Sequence, residues 1–268
     1  MNKIILICLT LSLGICSGCY QGSNNNPVPK LVVKKAQKNI TPIASQPAAA
    51  APKESQQVAA LPTPMVGLPI KPGTTNKPVI VLDAGHGGED FGTHSLGKPK
   101  YHEKYLNLST TLLVRGFLQQ FGYQVVMTRT DDTFISLEER AKLANKKNPR
   151  LFVSIHYNSA PSRDAEGLEV FYYREDDDKT RVAKSKLLAQ SIHNRTIQNT
   201  KAKSRGVKHG NYAVIRETTM PAVLIEGGFL TNASEMEKIK DSTYMKNLAL
   251  GIAQGIQDYL AKDGVVIR

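Results

Sequence analysis

Three short apolar runs constrain this chain most: Val79–Asp83, Leu151–Ile155 and Ala222–Ile225. Each is rich in Val, Ile and Leu and too short for a buried helix, which is how strands buried on both faces read. Helix-patterned segments come after them. Glu103–Phe121 brings Leu106, Leu113, Phe117 and Phe121 near one face and stops at Gly122. Ser136 with Glu139 forms a capping-box signature opening Leu137–Lys147. Arg181–Gln198 and Thr243–Leu260 read as two more helices, and Tyr123–Thr128 and Leu168–Tyr173 as two more strands. Strands alternating with helices predict an α/β fold, a mostly parallel central sheet with helices on both faces. Such sheets bind ligands outside the carboxyl ends of their strands.

The residues at the carboxyl end of each apolar run therefore matter. The first run leads into Asp83-Ala84-Gly85-His86-Gly87-Gly88, the second into His156-Tyr157-Asn158, the third into Glu226-Gly227-Gly228-Phe229. Two histidines and a glutamate thus leave three strand ends on one sheet edge, and Glu103, opening the first long helix, can approach the same edge. Two His and one Glu with an open position form a catalytic zinc set. A further carboxylate beside it would serve as general base and then proton donor. Spacing alone leaves open which Glu ligates and which acts as base. His86 in a Gly-rich turn is equally consistent with a backbone hydrogen bond. Glu226 after four apolar residues needs a partner or a function, because an unpaired buried carboxylate is costly. Asn158, two residues past His156, is a candidate substrate contact. His94, His102, His193 and His209 lack such placement, although His102 beside Glu103 is a competing ligand.

The formal charge of +12 raises the question of nucleic acid, yet residues 1–76 hold seven lysines and one acid, Glu54. The rest carries an ordinary mixture of 28 basic and 22 acidic residues, so no nucleic-acid partner is expected. All three cysteines precede residue 20, which excludes a disulfide scaffold. Residues 1–18 read as a signal peptide: Lys3, the apolar stretch Ile4–Ile15, then Ser17 and Gly18 before Cys19. A small pair followed by Cys resembles the bacterial lipoprotein signal, with Cys16 where Leu is usual, and predicts lipidation at Cys19. The alternative is an ordinary cleaved signal. Residues 19–76 are rich in Pro, Ala and Lys, with nine prolines from Tyr20 onward, and read as a disordered tether. Lys30, Lys34, Lys35 and Lys38 suit anionic lipid or acidic wall polymers, or simply solvate the linker. The expected location is the cell envelope, on the periplasmic face of a membrane.

The blocks DAGHGG (83–88), EKYLNL (103–108), SLEERAKLAN (136–145), LFVSIHYNS (151–159) and MPAVLIEGGFLTN (220–232) occur in one order across the folded part. In them the chain resembles the zinc-dependent N-acetylmuramoyl-L-alanine amidases of bacterial cell-wall turnover. The resemblance implies a phosphorylase/hydrolase-like α/β domain over 77–268. It also implies one Zn2+ held by His86, Glu103 and His156, with Glu226 as the catalytic carboxylate. The implied substrate is peptidoglycan, at the amide joining N-acetylmuramic acid to L-alanine, and the expected state is a monomer. Phe91 stands where the family often has Pro, and Thr93–His102 is idiosyncratic. Only Arg174–Thr180 separates Tyr173 from the next helix, which predicts no plugging insertion.

Two other functions share much of this pattern. A zinc carboxypeptidase or endopeptidase acting on the stem peptide would use the same residues, and a noncatalytic peptidoglycan-binding module would keep the fold but lose a ligand or the base. Ser95-Leu96-Gly97-Lys98 matches the S-x-x-K pattern of penicillin-binding enzymes, without an S-x-N partner in the folded part.

Overall fold

The structure, a computed structural model, describes residues 77–175 and 177–264. The signal segment, Cys19 and the tether lie outside the described residues. The chain order is β1 (Val79–Ala84), α1 (Glu103–Gln120), β2 (Gln124–Met127), α2 (Leu137–Lys147), β3 (Leu151–Asn158) and β4 (Leu168–Tyr172). It continues with α3 (Lys179–Thr200), β5 (Ser204–His209), α4 (Ala213–Arg216), β6 (Ala222–Phe229), α5 (Ala233–Lys240) and α6 (Ser242–Lys262). One six-stranded sheet results, ordered β2-β1-β3-β6-β4-β5. β2, β1, β3 and β6 pair in parallel, as do β4 and β5, while β4 meets β6 antiparallel. The expected α/β architecture holds, with one reversal: the β4–β5 pair runs against the other four strands.

Side chains alternate across the sheet because the strand period is two. Ile80, Leu82, Val153, Ile155, Val223 and Ile225 face one core with residues of α1, α3 and α6, among them Leu106, Ile192 and Ile252. Val81, Phe152, Ala222 and Leu224 face a smaller core closed by Ala144 of α2 and by Val214 and Ile215 of α4. Each fully buried aliphatic side chain contributes about 1.5–3 kcal/mol of transfer free energy, which holds helices to both faces. The capping box at Ser136 is present, with the serine oxygen accepting from Glu139 N and Glu139 reaching back to Ser136 N. No helix among the described residues is long and apolar enough to cross a membrane.

Three elements escape the hydrophobic pattern. β5 is the polar stretch SRGVKH at the sheet edge, where one side of the strand needs no apolar partner. α4 is a single turn, and α5 carries only Met236 and Ile239 into the core, its start marked by the Asn232 cap on Glu235 N. β1, β3 and β6 also run past their apolar stretches, so that His156 and Glu226 are ladder partners inside the sheet rather than residues of the loops beyond it.

Candidate metal centre

The turn after β1 is held from beneath by three buried cations. Arg140 donates from Nη1 to Ala84 O at 2.7 Å and from Nη2 to His86 O at 2.8 Å. Arg129 donates from Nε to Ala84 O at 2.8 Å and from Nη2 to Gly85 O at 2.7 Å. Lys104 Nζ reaches Gly88 O at 2.6 Å and lies 4.0 Å from the Phe91 ring centre. The charge of Arg140 is answered by Asp83, buried on the same face, whose carboxylate also accepts from Thr128 and Ser154. Burial opposes a charge on Asp83, but Arg140 and these hydrogen bonds outweigh it and hold the carboxyl below its ordinary range. This grip keeps His86 at φ 60°, a left-handed backbone that non-glycine residues rarely adopt.

So held, His86 meets Glu103 and His156. Glu103 is the first residue of α1, and its carboxylate lies between the two rings, 3.1 Å from His86 Nε2 and 2.9 Å from His156 Nδ1. Thr93 N, Tyr157 N and Asn107 Nδ2 also donate to it, at 2.9, 3.2 and 3.2 Å. One ligand atom from each of the three residues lies within 4.8 Å of the others, so the cluster can hold a metal ion. Close backbone approach makes room for it. A Cβ on Gly85 would lie 2.1 Å from His156 Cε1, and one on Gly92 would lie 2.6 Å from Glu103 Oε2 and His86 Cδ2.

Charge is concentrated here. Burial works against ionisation of Glu103, yet its hydrogen bonds to His156 and His86 and their charges drive its pKa far below the usual carboxylate range. Burial likewise disfavours charge on His86, but Glu103 and Asp90 raise its pKa. Asp90 Oδ2 accepts from His86 Nδ1 at 2.7 Å, which leaves Nε2 turned toward Glu103. A carboxylate that fixes the outer nitrogen of a ligating imidazole is the usual support of a metal site.

Beside the cluster the sheet carries a row of polar side chains. His156, Glu226 and Glu169 are register partners on β3, β6 and β4 and so point to one face. Glu226 is buried, and its Oε2 has no hydrogen-bond partner among the described residues. Burial, then the charges of Glu103 and Glu169, push its pKa well above the ordinary carboxylate value. Glu169 is also buried but fully engaged: Asn158 Nδ2 donates at 2.8 Å, Arg205 Nε at 3.1 Å, and Lys208 Nζ at short range. Asn158 Oδ1 accepts from Ser159 N, so this amide is fixed at both ends. Tyr212 packs edge-on against Phe171 with centroids 5.2 Å apart and is exposed on its outer side.

His86, Glu103 and His156 thus come together, with Glu226 on the next strand. Among the other histidines, His94 and His102 form an isolated bridge between loop segments, His193 bonds Ser204, and His209 pairs with Glu175. Ser95 is buried, and its Oγ takes the Tyr101 N–H. Hydrophobic pattern and motif spacing do not single out Asp90, Arg129, Arg140 or Glu169. Glu169 does carry a usable signal, since it interrupts the apolar strand LEVFY just as Glu226 interrupts its own. The two arginines sit in polar contexts and carry none.

A family model described as N-acetylmuramoyl-L-alanine amidase matches residues 80–258. The chain is 34% identical to the N-acetylmuramoyl-L-alanine amidase LytC of Bacillus subtilis, over 86% of this chain and 42% of LytC. It therefore spans less than half of that relative. Among solved structures, an N-acetylmuramoyl-L-alanine amidase from Clostridium difficile 630 is 41% identical with a TM-score of 0.66, covering 71% of this chain and all of that one (100%). The catalytic domain of CwlV, an amidase from Bacillus (Paenibacillus) polymyxa var. colistinus, is 41% identical with a TM-score of 0.63, covering 69% of this chain and 98% of that one.

Proposed function

Because the chain belongs to the N-acetylmuramoyl-L-alanine amidase family, hydrolases of peptidoglycan, we propose that it cleaves the amide between N-acetylmuramic acid and L-alanine with His86, Glu103 and His156 holding one zinc ion. The observation that carries this reading is the convergence of those three ligand atoms within 4.8 Å, with Glu226 directly opposite His156 in the ladder. Two imidazole nitrogens and a carboxylate oxygen suit zinc and leave a coordination position open. The missing Cβ atoms of Gly85 and Gly92, which let the rings and Glu103 converge, and the Asp90 bond to His86 fit such an ion. When bound, zinc supplies positive charge that polarises the amide carbonyl and makes water acidic near neutral pH.

Glu226 takes the proton of the attacking water on its carboxylate and delivers it to the departing alanine nitrogen. A carboxylate whose pKa is raised by burial and by like charge is suited to both transfers near neutral pH. Asp90 keeps His86 in the tautomer that presents Nε2. Asn158 has one amide hydrogen beyond its bond to Glu169, available to a substrate carbonyl. Residues 1–18 direct export, Cys19 carries the lipid anchor, residues 19–76 are the tether, and residues 77–268 act as a monomeric catalytic domain.

Mass spectrometry of muropeptides after digestion by the purified mature chain tests this. Free stem peptides beginning at L-alanine, lost on chelation and restored by zinc, are expected. Shortened peptides on intact muramoyl linkages would replace the amidase reading with a peptidase, and absence of product from the zinc-loaded chain would replace it with a binding module.

A further inference from the structure

The polar row continues beyond Glu226. On β4 comes Glu169, and next to it on the edge strand β5 come Arg205 and Lys208, both bound to that single carboxylate. Two fixed cations against one anion leave a positive excess at this end of the row. Neither cation is used up: the side chains are 35% and 40% exposed. Arg205 spends Nε on Glu169 and Nη1 on Glu166 O at 3.3 Å, and its guanidinium rests 4.8 Å from the Phe229 ring centre. Lys208 spends one of three N–H groups. Of the neighbouring charges, Lys203 is paired with Glu166, and Glu175 lies 3.3 Å from His209 Nε2. Phe171 and Tyr212 flank the row as an aromatic wall.

We propose that Arg205 and Lys208 form a carboxylate-recognising subsite that selects and orients the peptide side of the substrate. The proposal rests on the amidase reading above. In the uncleaved substrate the muramoyl carboxyl is consumed in the amide and the sugars carry hydroxyl and acetamido groups. A negative charge close to the scissile bond can then come only from the peptide, and a free α-carboxylate on its second residue, left where that residue continues the chain through its side chain, is the nearest such group. The spans agree. Two strand spacings of about 4.8 Å separate β6 from β5, two extended residues cover about 7 Å, and the long side chains of Arg205 and Lys208 bridge the rest. Glu169 holds both cations in place, so it is a positioning residue. The stem peptide then crosses β4 and β5, and the glycan leaves toward the turn after β1.

The test compares kcat/KM of the zinc-loaded mature chain on a muramoyl peptide whose second residue has its α-carboxylate free and on the same peptide with that group amidated. The free acid is expected to be preferred about 10- to 100-fold, the range of a hydrogen bond to a charged group, with most of the difference in KM. Lys208→Gln and Arg205→Gln should each shrink the preference, and Lys208→Arg should keep it. Equal kcat/KM on the two substrates, with L-alanine-terminated peptide released from both, would overturn the subsite alone. The wild-type ratio decides the matter even if a variant fails to fold. Absence of L-alanine-terminated product from both substrates would overturn the amidase reading and the subsite with it.

Discussion

Replacing Arg140 by Met keeps an unbranched apolar stem and removes every donor from a nearly inaccessible site (2% exposed). Four hydrogen bonds go: to Ile135 O at 2.8 Å, Asp83 Oδ1 at 2.8 Å, Ala84 O at 2.7 Å and His86 O at 2.8 Å. Ala84 O keeps Arg129, and Asp83 keeps the Thr128 and Ser154 hydroxyls. The buried carboxylate loses its counter-charge. Breaking a buried pair from one side costs about 3–5 kcal/mol, which for a domain of this size is a fall in Tm of about 6–20 °C. The pH dependence identifies the cause. In the wild type the folded pKa of Asp83 is lowered, so its contribution is present above the unfolded pKa of about 3.9 and is lost as pH falls through the folded value. Without Arg140, burial dominates and raises the folded pKa. The sign reverses: the folded variant keeps a proton that the unfolded chain releases, so this contribution is lost as pH rises from about 4. Thermal melts of both proteins under chelation should therefore differ most at neutral pH and converge toward pH 4. Equal Tm at pH 7, or a gap independent of pH, would refute the buried-pair account. Because His86 O is also released, zinc affinity should fall about 10- to 100-fold.

Other expectations rest on the same geometry. Glu226→Gln should retain zinc while losing a factor of about 10²–10⁴ in kcat, checked by metal analysis beside muropeptide release. His156→Ala should lose the metal itself. Asp90→Ala frees the outer nitrogen of His86 and should weaken zinc binding about 10- to 100-fold, measured by competition with a chromogenic chelator. Saturating zinc at 100 times its Kd should stabilise the fold by about 2.7 kcal/mol, read as a Tm difference between zinc-loaded and chelated protein.

The fold was legible wherever burial dictated residue type. Val79–Leu82, Leu151–Ile155 and Ala222–Ile225 could be little else than interior strands, and the capping box at Ser136 and the stop at Gly122 marked helix ends through local backbone chemistry. Local pattern was silent where burial was partial. β5 sits at an edge and needs no apolar alternation, and the direction of β4 depends on how the chain returns across β6, which no residue of β4 encodes by itself.

The candidate residues were legible in the chain alone: His86, His156 and Glu226 follow strand-forming runs, and an apolar strand interior tolerates such groups only when they are paired or used. Which of these groups touch depends on how the strands and helices come together. Glu103 comes from another element to lie between the two imidazoles. The antiparallel return of β4 sets Glu169 across from Glu226 and brings Arg205 and Lys208 to the same row. Arg129 and Arg140 read as ordinary surface residues until folding buries them beneath the turn that carries His86. Arg129 reaches Gly85 across 44 positions of chain and Arg140 reaches His86 across 54. The energies of such contacts exist only once the strands have paired, because no local stretch of chain can bring their partners together.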